Sequence, residues 1–387
     1  MANKQSNSLK SNIISLLSEE ARSLADLKTI TQVSLPTLRL ALQELSDSGW
    51  VCPVGQSLPT GGRRATLYGL NNQTHLIIGV HLEIPAINLI VSGLNGEIID
   101  RIHLDDQEEL LPDDAIQIII NYVQQVQTTY PHRKLLGLGI ATPGFIDLAS
   151  GKILFSIRAP QWQNFPLKAR LESELDLPVI IENDVDCMAI AELAHANLQD
   201  VSDILYLGFT EGVKVSMIFD DQLYKGPFGN AGIIGRITAS PNDSPEIASL
   251  SGVCREFDQC ISTLSTPTDT LQAIAALTDR SAKFKAILNA VESEKICEDI
   301  ITTVIDTIAG EISKLIQILQ SEILIIGGVL SYLPPNLRNY MEKSIRSRLS
   351  TFISSHLLVK YATIAGARVA ATGVVHRFLQ WYDINQA

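Results

Sequence analysis

Long apolar runs are missing from this sequence. No stretch reaches the roughly 18 uninterrupted apolar residues that a bilayer crossing requires, and the longest, residues 135–146, is broken by Pro143. Lys4 and Lys10 near the start are followed by no apolar core or small-residue cleavage site, so no export signal is read there. Cysteine is scarce: five residues (Cys52, Cys187, Cys254, Cys260 and Cys297), odd in number and without a C-x-x-C pair. That spacing offers neither a zinc knuckle nor a redox pair, and it points to a reduced, cytoplasmic setting. Basic charge is also short, with 30 Lys and Arg against 42 Asp and Glu, a net −12. Spread evenly, that balance would exclude a nucleic-acid partner, because phosphate repels an acidic surface.

The charge is not spread evenly. Residues 1–70 hold seven Lys/Arg and five Asp/Glu, a net +2, which leaves −14 for the rest. At 387 residues, 46% hydrophobic and 19% charged, the chain is globular and long enough for two or three cores.

The front end predicts three helices and a wing. Leu9, Ile13, Ile14, Leu16 and Leu17 recur at helical spacing up to about Glu20. Ser23 caps a short second helix with Leu24, Leu27 and Ile30, and a turn at 31–33 leads to Ser34, the N-cap of a third. Pro36 lies in the first turn, where its missing N–H does no harm, and Leu38, Ala41, Leu42 and Leu45 form one apolar stripe. Leu35, Thr37, Arg39, Leu40 and Gln43 are left facing away from the core, and Gly49 ends the helix. A strand at 50–54, a polar loop and a return strand at 63–70 follow, so Gly61, Gly62, Arg63 and Arg64 stand at the mouth of a hairpin. Two arginines after two glycines can meet phosphate or a narrow minor groove unobstructed; the bland alternative is that they are merely solvated.

From His75 the reading turns to strands. LIIGVHL, INLIVSG and EIIDRIHL alternate with period two about the turn Asn95-Gly96, a three-stranded meander. A helix near 113–130, a buried strand at 135–140, a helix near 165–175, a strand at 179–182 and a further helix follow. The scheme then restarts with a meander over 203–225, a long helix near 294–319, a strand at 323–326, a helix and a strand at 357–360. Two lobes of one order imply a cleft between them.

This duplicated α/β layout behind a winged helix resembles the ROK family of repressors, uncharacterised reading frames and sugar kinases. Within it the match is to the repressor branch that includes the N-acetylglucosamine and xylose repressors. The resemblance rests on SLPTLRLALQELSDSGWV and GGRRATLYGL, GLGIATPGFIDLASGKI at 137–153, LPVIIENDVDCMAIAE at 177–192, GPFGNAGIIGR at 226–236 and ILIIGGVLS at 323–331. It implies a winged helix-turn-helix over 1–70 followed by an actin/hexokinase-like, ribonuclease H-like pair of lobes. The first lobe spans 71–200 with 366–387 and the second 201–365.

Phosphate-binding loops are glycine-rich because backbone N–H groups can cradle an anion only where side chains are absent. The positions matching the family's D-x-G-G-T are His81, Leu82, Glu83, Ile84 and Pro85, and those matching its second loop, G-T-G-x-G-G-G, are 210–216, TEGVKVS. A carboxylate and a proline now stand where N–H donors are needed, so no ATP, no catalytic residue and no cofactor are expected. Glu182-Asn183-Asp184 retains the family's E-N-D, in which Asn and Asp contact sugar hydroxyls and the Asp is the base in kinases. The alternative is that Asn183 or Asp184 only caps the following helix.

Ile233 and Arg236 replace the family's sugar-binding Glu and zinc-ligating His, and no Cys or His lies between Arg236 and Cys254, so no metal is expected. A further family glutamate corresponds either to Glu246 or to Pro245. Arg158 stands where the family has a sugar-contacting Asn, and Asn230 falls in the glycine-rich GPFGN segment. Arg158 and Arg236 either retune the site toward a sugar phosphate or sugar acid, or pair with neighbouring carboxylates.

The resemblance therefore implies a transcriptional regulator, a repressor, of carbohydrate genes. It would bind double-stranded DNA through Ser34, Thr37, Arg39, Gln43 and the Gly61, Gly62, Arg63, Arg64 wing, as a homodimer or homotetramer. A sugar or sugar-phosphate effector would contact Arg158, Asn183, Asp184, Asn230 and Arg236. A sugar kinase with an appended DNA-binding domain and a regulator governed by a protein partner remain the alternatives.

Overall fold

The computed structural model describes residues 2–58, 64–84, 86–104, 110–156, 159–195, 203–220, 222–234, 249–364 and 368–382. The chain divides into two compact units, Met1–His195 with Ala367–Ala387, and Ala196–Gly366. Among the described residues no helix is long and apolar enough to cross a membrane.

The first unit begins with helix α1 (Ala2–Glu19), strand β1 (Arg22–Ser23) and helices α2 (Leu24–Thr31) and α3 (Leu35–Asp47). Local chemistry sets these ends. Ser23 and Asp26 form a capping box at α2, and the Ser23 bonds hold the Asp26 carboxyl below its ordinary range. Ser34 caps α3 with its hydroxyl on the Thr37 N–H, and Pro36 sits in the first turn. Strands β2 (Val51–Gln56) and β3 (Thr66–Leu70) follow, and β1 adds to β3, giving the order β1-β3-β2. The stripe Leu38, Ala41, Leu42 and Leu45 is buried with Ile13, Leu27 and Trp50. The sequence reading missed β1, whose two residues are too few for a pattern.

Strands β4 (His75–Leu82), β5 (Ile87–Ser92) and β6 (Ile98–Leu104) form the expected meander, followed by α4 (Pro112–Thr129) and β7 (Lys134–Thr142). A hairpin, β8 (Phe145–Asp147) and β9 (Lys152–Phe155), was not foreseen. After it come α5 (Leu167–Leu175), β10 (Val179–Asn183) and α6 (Asp184–His195). β7 runs parallel to β4, and β10 parallel to β7.

The second unit repeats the plan with β11 (Ile204–Phe209), β12 (Val213–Phe219) and β13 (Gln222–Tyr224). Helices α7 (Leu250–Ser262), α8 (Asp269–Ala275), α9 (Arg280–Asn289) and α10 (Lys295–Leu319), then β14 (Ile323–Gly328), α11 (Pro335–Arg346), α12 (Thr351–His356) and β15 (Leu358–Tyr361), complete it. The sheets read β6-β5-β4-β7-β10 and β13-β12-β11-β14-β15. In each, the meander's first strand takes a parallel neighbour that takes another, so the duplication inferred from the sequence is a duplication of topology.

The chain then returns to the first unit as α13 (Val369–Trp381). This helix corrects one expectation: β4 and β5 do not alternate but are buried at every residue. One face, including Leu76, Ile78 and Val80, packs with Ile116, Ile119 and Val123 of α4. The other is covered by α13. Close approach depends on glycine: a methyl on Gly79 would collide with the Ala371 carbonyl, and one on Gly373 with the Cys187 carbonyl of α6.

Just past α13, Tyr382 packs on Trp50, with ring centroids 5.9 Å apart, and Trp50 stacks on His75 at 4.8 Å. Thr74 Oγ1 donates to the Gly49 carbonyl at 2.5 Å. The helical head and the first large sheet thus share one joint inside one unit.

Burial lowers the His75 imidazole to about 4, helped by the Lys134 charge, and burial lowers His376 to about 4, helped by His195. Both are neutral in the fold and bind a proton more readily when unfolded, where the ordinary value near 6.5 applies. Their contribution is whole above about pH 6.5 and is lost as pH falls toward 4, at about 1.4 kcal/mol per pH unit per histidine. Urea midpoints measured from pH 7 to pH 4.5 should fall accordingly, and His376→Leu should flatten the slope by one histidine's share; an unchanged slope contradicts the assignment.

Candidate functional site

The sequence E-N-D lies where β10 ends and α6 begins. A parallel strand buried on both faces delivers these side chains to the carboxyl end of the sheet, a usual place for ligand groups. Glu182, Asn183 and Asp184 are all buried. Asn183 Oδ1 accepts from the N–H groups of Val185 at 3.0 Å and Asp186 at 3.3 Å, so it caps α6. Its amide nitrogen has no acceptor among the described residues. Asp184 Oδ1 accepts from the Val185 N–H at 2.9 Å, while Oδ2 stands 3.9 Å from His81 Nε2, beyond direct hydrogen-bond distance. One donor and one acceptor, adjacent in sequence, thus have no hydrogen-bond partner among the described residues.

Two residues of this cluster escaped the sequence reading in these roles. His81, noted only as a displaced phosphate-loop position, faces Asp184. Arg377 of α13 places Nε 3.3 Å from Glu182 Oε2, an ion pair across 195 residues of sequence. The signal for Arg377 was a lone charge within the apolar stretch 369–378, since a charge on a buried helix needs a partner.

The hairpin after β4 keeps a glycine-like backbone without glycine: Ile84 has φ 40°. A β-branched residue there is strained. Glu83 Oε2 accepts from Asn88 Nδ2 at 3.4 Å, and Pro85 lies outside the described residues.

In the second unit the loop between β11 and β12 is tight, with the Thr210 N–H on the Gly212 carbonyl. Glu211 pairs with Arg280 of α9 at 3.0 Å, and Lys214 and Ser216 are buried within β12. Glu211, Lys214 and Ser216 put side chains where a phosphate cradle needs bare backbone, so these residues do not fit a nucleotide's phosphates. Asn230 lies in a turn after β13 with its amide on the Phe228 carbonyl at 2.7 Å. It belongs to the second unit, whereas Asn183 and Asp184 belong to the first. Arg158, Arg236, Pro245 and Glu246 lie outside the described residues. No cluster of three or more metal-binding side chains occurs among the described residues. Cys254 and Cys260 lie on α7, and burial raises both thiols, Cys254 to about 11.

In the head, Ser34 precedes α3, and Thr37, Arg39 and Gln43 are exposed along it. Arg64 is exposed just ahead of β3; Gly61, Gly62 and Arg63 lie outside the described residues.

Comparison with known proteins places these features in context. A family model described as ROK family matches residues 77–375. The xylose repressor of Caldicellulosiruptor bescii is 26% identical over 338 residues, 82% of each chain. The DNA-binding transcriptional dual regulator NagC of Escherichia coli is 24% identical over 214 residues, 54% of this chain and 52% of NagC. Among solved structures, a ROK family transcriptional regulator, a homologue of the E. coli MLC protein, superposes with TM-score 0.80 and 18% identity. That match covers 97% of this chain and 96% of the other. A ROK family glucokinase from Streptomyces griseus superposes with TM-score 0.65 and 21% identity over 78% of this chain and 98% of its own. At these identities the superpositions establish the fold.

Removing one partner of a buried ion pair strands the other charge. Because Arg377 is one-third exposed, Arg377→Met should cost about 1–3 kcal/mol of stability, and Glu182→Gln in the same chain should recover part of it. Additive losses in that double-mutant cycle, read by urea denaturation, would show that the two groups do not interact.

Proposed function

Because the chain belongs to the ROK family, we propose that it is a DNA-binding transcriptional regulator of carbohydrate genes, a repressor, and that it does not transfer phosphate. One observation carries this reading. The loop where a ROK kinase needs bare backbone carries Glu211, ion-paired with Arg280, and leads into the buried Lys214 and Ser216, while Asn183 Nδ2 and Asp184 Oδ2 have no hydrogen-bond partner among the described residues. Sugar recognition is chemically possible there without phosphoryl transfer. The names of the relatives, a xylose repressor and NagC, support the same reading.

Residues 1–70 form the winged helix-turn-helix in this proposal, with lobes over 71–200 plus 366–387 and over 201–365. Helix α3 enters the major groove, with Ser34, Thr37, Arg39 and Gln43 along it, and the Gly61, Gly62, Arg63, Arg64 wing meets phosphate or minor groove. A net +2 on this head is too little for one copy to bind tightly, so two or more copies on a partly palindromic site supply the affinity. The effector is a cytoplasmic sugar or sugar derivative. The Asn183 amide donates to one of its oxygens and Asp184 accepts from a hydroxyl. Asn183 thus serves two purposes with two atoms, capping α6 with Oδ1 and offering Nδ2 to ligand. Arg158, Arg236 and Asn230 complete the proposed ligand set, and the two guanidinium groups favour an anionic sugar.

Arg63→Ala combined with Arg64→Ala should lower operator affinity at least tenfold in a gel-shift assay while leaving the thermal melting of the chain unchanged. Unaltered affinity would refute the wing assignment. In a coupled ADP-release assay over hexoses and amino sugars no turnover is expected, and turnover abolished by Asp184→Asn would establish a kinase instead.

A further inference from the structure

We propose that α3 reads thymine methyl groups, with Leu40 and Pro36 as the reading side chains, and that Gln43 does not read base edges. The inference rests on the DNA-binding reading above and deepens it by naming the base.

At about 100° per residue, the buried stripe of Leu38, Ala41, Leu42 and Leu45 leaves Pro36, Leu40, Gln43 and Asp47 along the opposite line of the helix. The polar groups there are already engaged. Gln43 Nε2 donates to Asp47 Oδ1 at 2.8 Å, the Thr37 and Ser34 hydroxyls bond each other at 2.8 Å, and Glu44 pairs with Lys10 at 2.6 Å. Leu40, by contrast, is 61% exposed, and Pro36 one turn before it is exposed as well.

Charge sets which end goes deepest. Asp47, which forms no ion pair among the described residues, lies in the last turn of α3 and repels phosphate there, while the first turn carries no acidic residue and has the positive end of the helix dipole. Arg39, on one flank, forms no ion pair among the described residues and suits a phosphate. The half of the helix that can approach the duplex therefore leads with an apolar ridge. In the major groove the apolar feature that a base pair displays is the thymine C5-methyl group, which marks A·T and T·A apart from each other and from G·C.

The test begins with selection of duplexes from a random pool by the full-length chain. Each thymine of the selected half-site is then replaced singly by deoxyuridine, which lacks only that methyl. At one or two positions affinity should fall about fourfold, the size expected for exposing one buried methyl group. Leu40→Ala should lose a similar factor on the thymine duplex and nothing further on the matching deoxyuridine duplex. The substitution is exposed and favours helix, so folding is retained. Tolerance of every deoxyuridine within twofold, or an equal loss by Leu40→Ala on both duplexes, overturns the proposal alone. Retention of no duplex by the wild-type chain overturns the DNA-binding reading and this one with it.

Discussion

The close packing of α13 against the first large sheet and α6 is the constraint on which the first unit depends. It requires bare Cα positions at Gly79 and Gly373, and it buries β4 and β5 on both faces. It also fixes what the ends of that helix touch. Arg377 reaches Glu182 beside Asn183 and Asp184, and Tyr382, just past the helix, reaches Trp50 at the root of the head. A short rigid element therefore runs from the free polar atoms of the candidate ligand site to the ring stack that seats the helical head. That is contiguity, the physical precondition for coupling two sites; coupling itself needs a second arrangement of the same element.

The hairpins that follow β4 and β11 occupy matching places in the two units. Ile84 holds a left-handed backbone that glycine would adopt without strain. In the second unit the corresponding loop carries the Glu211–Arg280 ion pair. The strand order, repeated in both units, does not depend on those glycines, since it is set by the meanders and their parallel neighbours. Fold alone therefore does not decide phosphate chemistry, because function resides in a site grafted on a scaffold.

Much of this was legible in the sequence. Caps at Ser23 and Ser34, the stripe on α3, both meanders and the long α10 follow from local spacing and capping chemistry. What was not legible depended on contacts between distant residues. LIIGVHL was read as an alternating strand, but every residue of β4 is buried, His81 included, which faces Asp184. Helix α13, rich in β-branched residues and interrupted by Gly373, has weak intrinsic helical preference and is held by packing. The role of Asn183 was posed as ligand contact or capping; the structure shows the cap and leaves the amide available.

Fluorescence anisotropy of the chain on its selected duplex, titrated with a panel of sugars and sugar phosphates in the presence of magnesium and ATP, is the most direct test of the proposal that the chain senses a sugar and does not phosphorylate it. The expected result is one ligand that changes DNA affinity in the wild-type chain but not in Asp184→Ala, and that is recovered unphosphorylated. Phosphorylated sugar in the recovered mixture, with DNA affinity indifferent to every ligand, is the result that contradicts it.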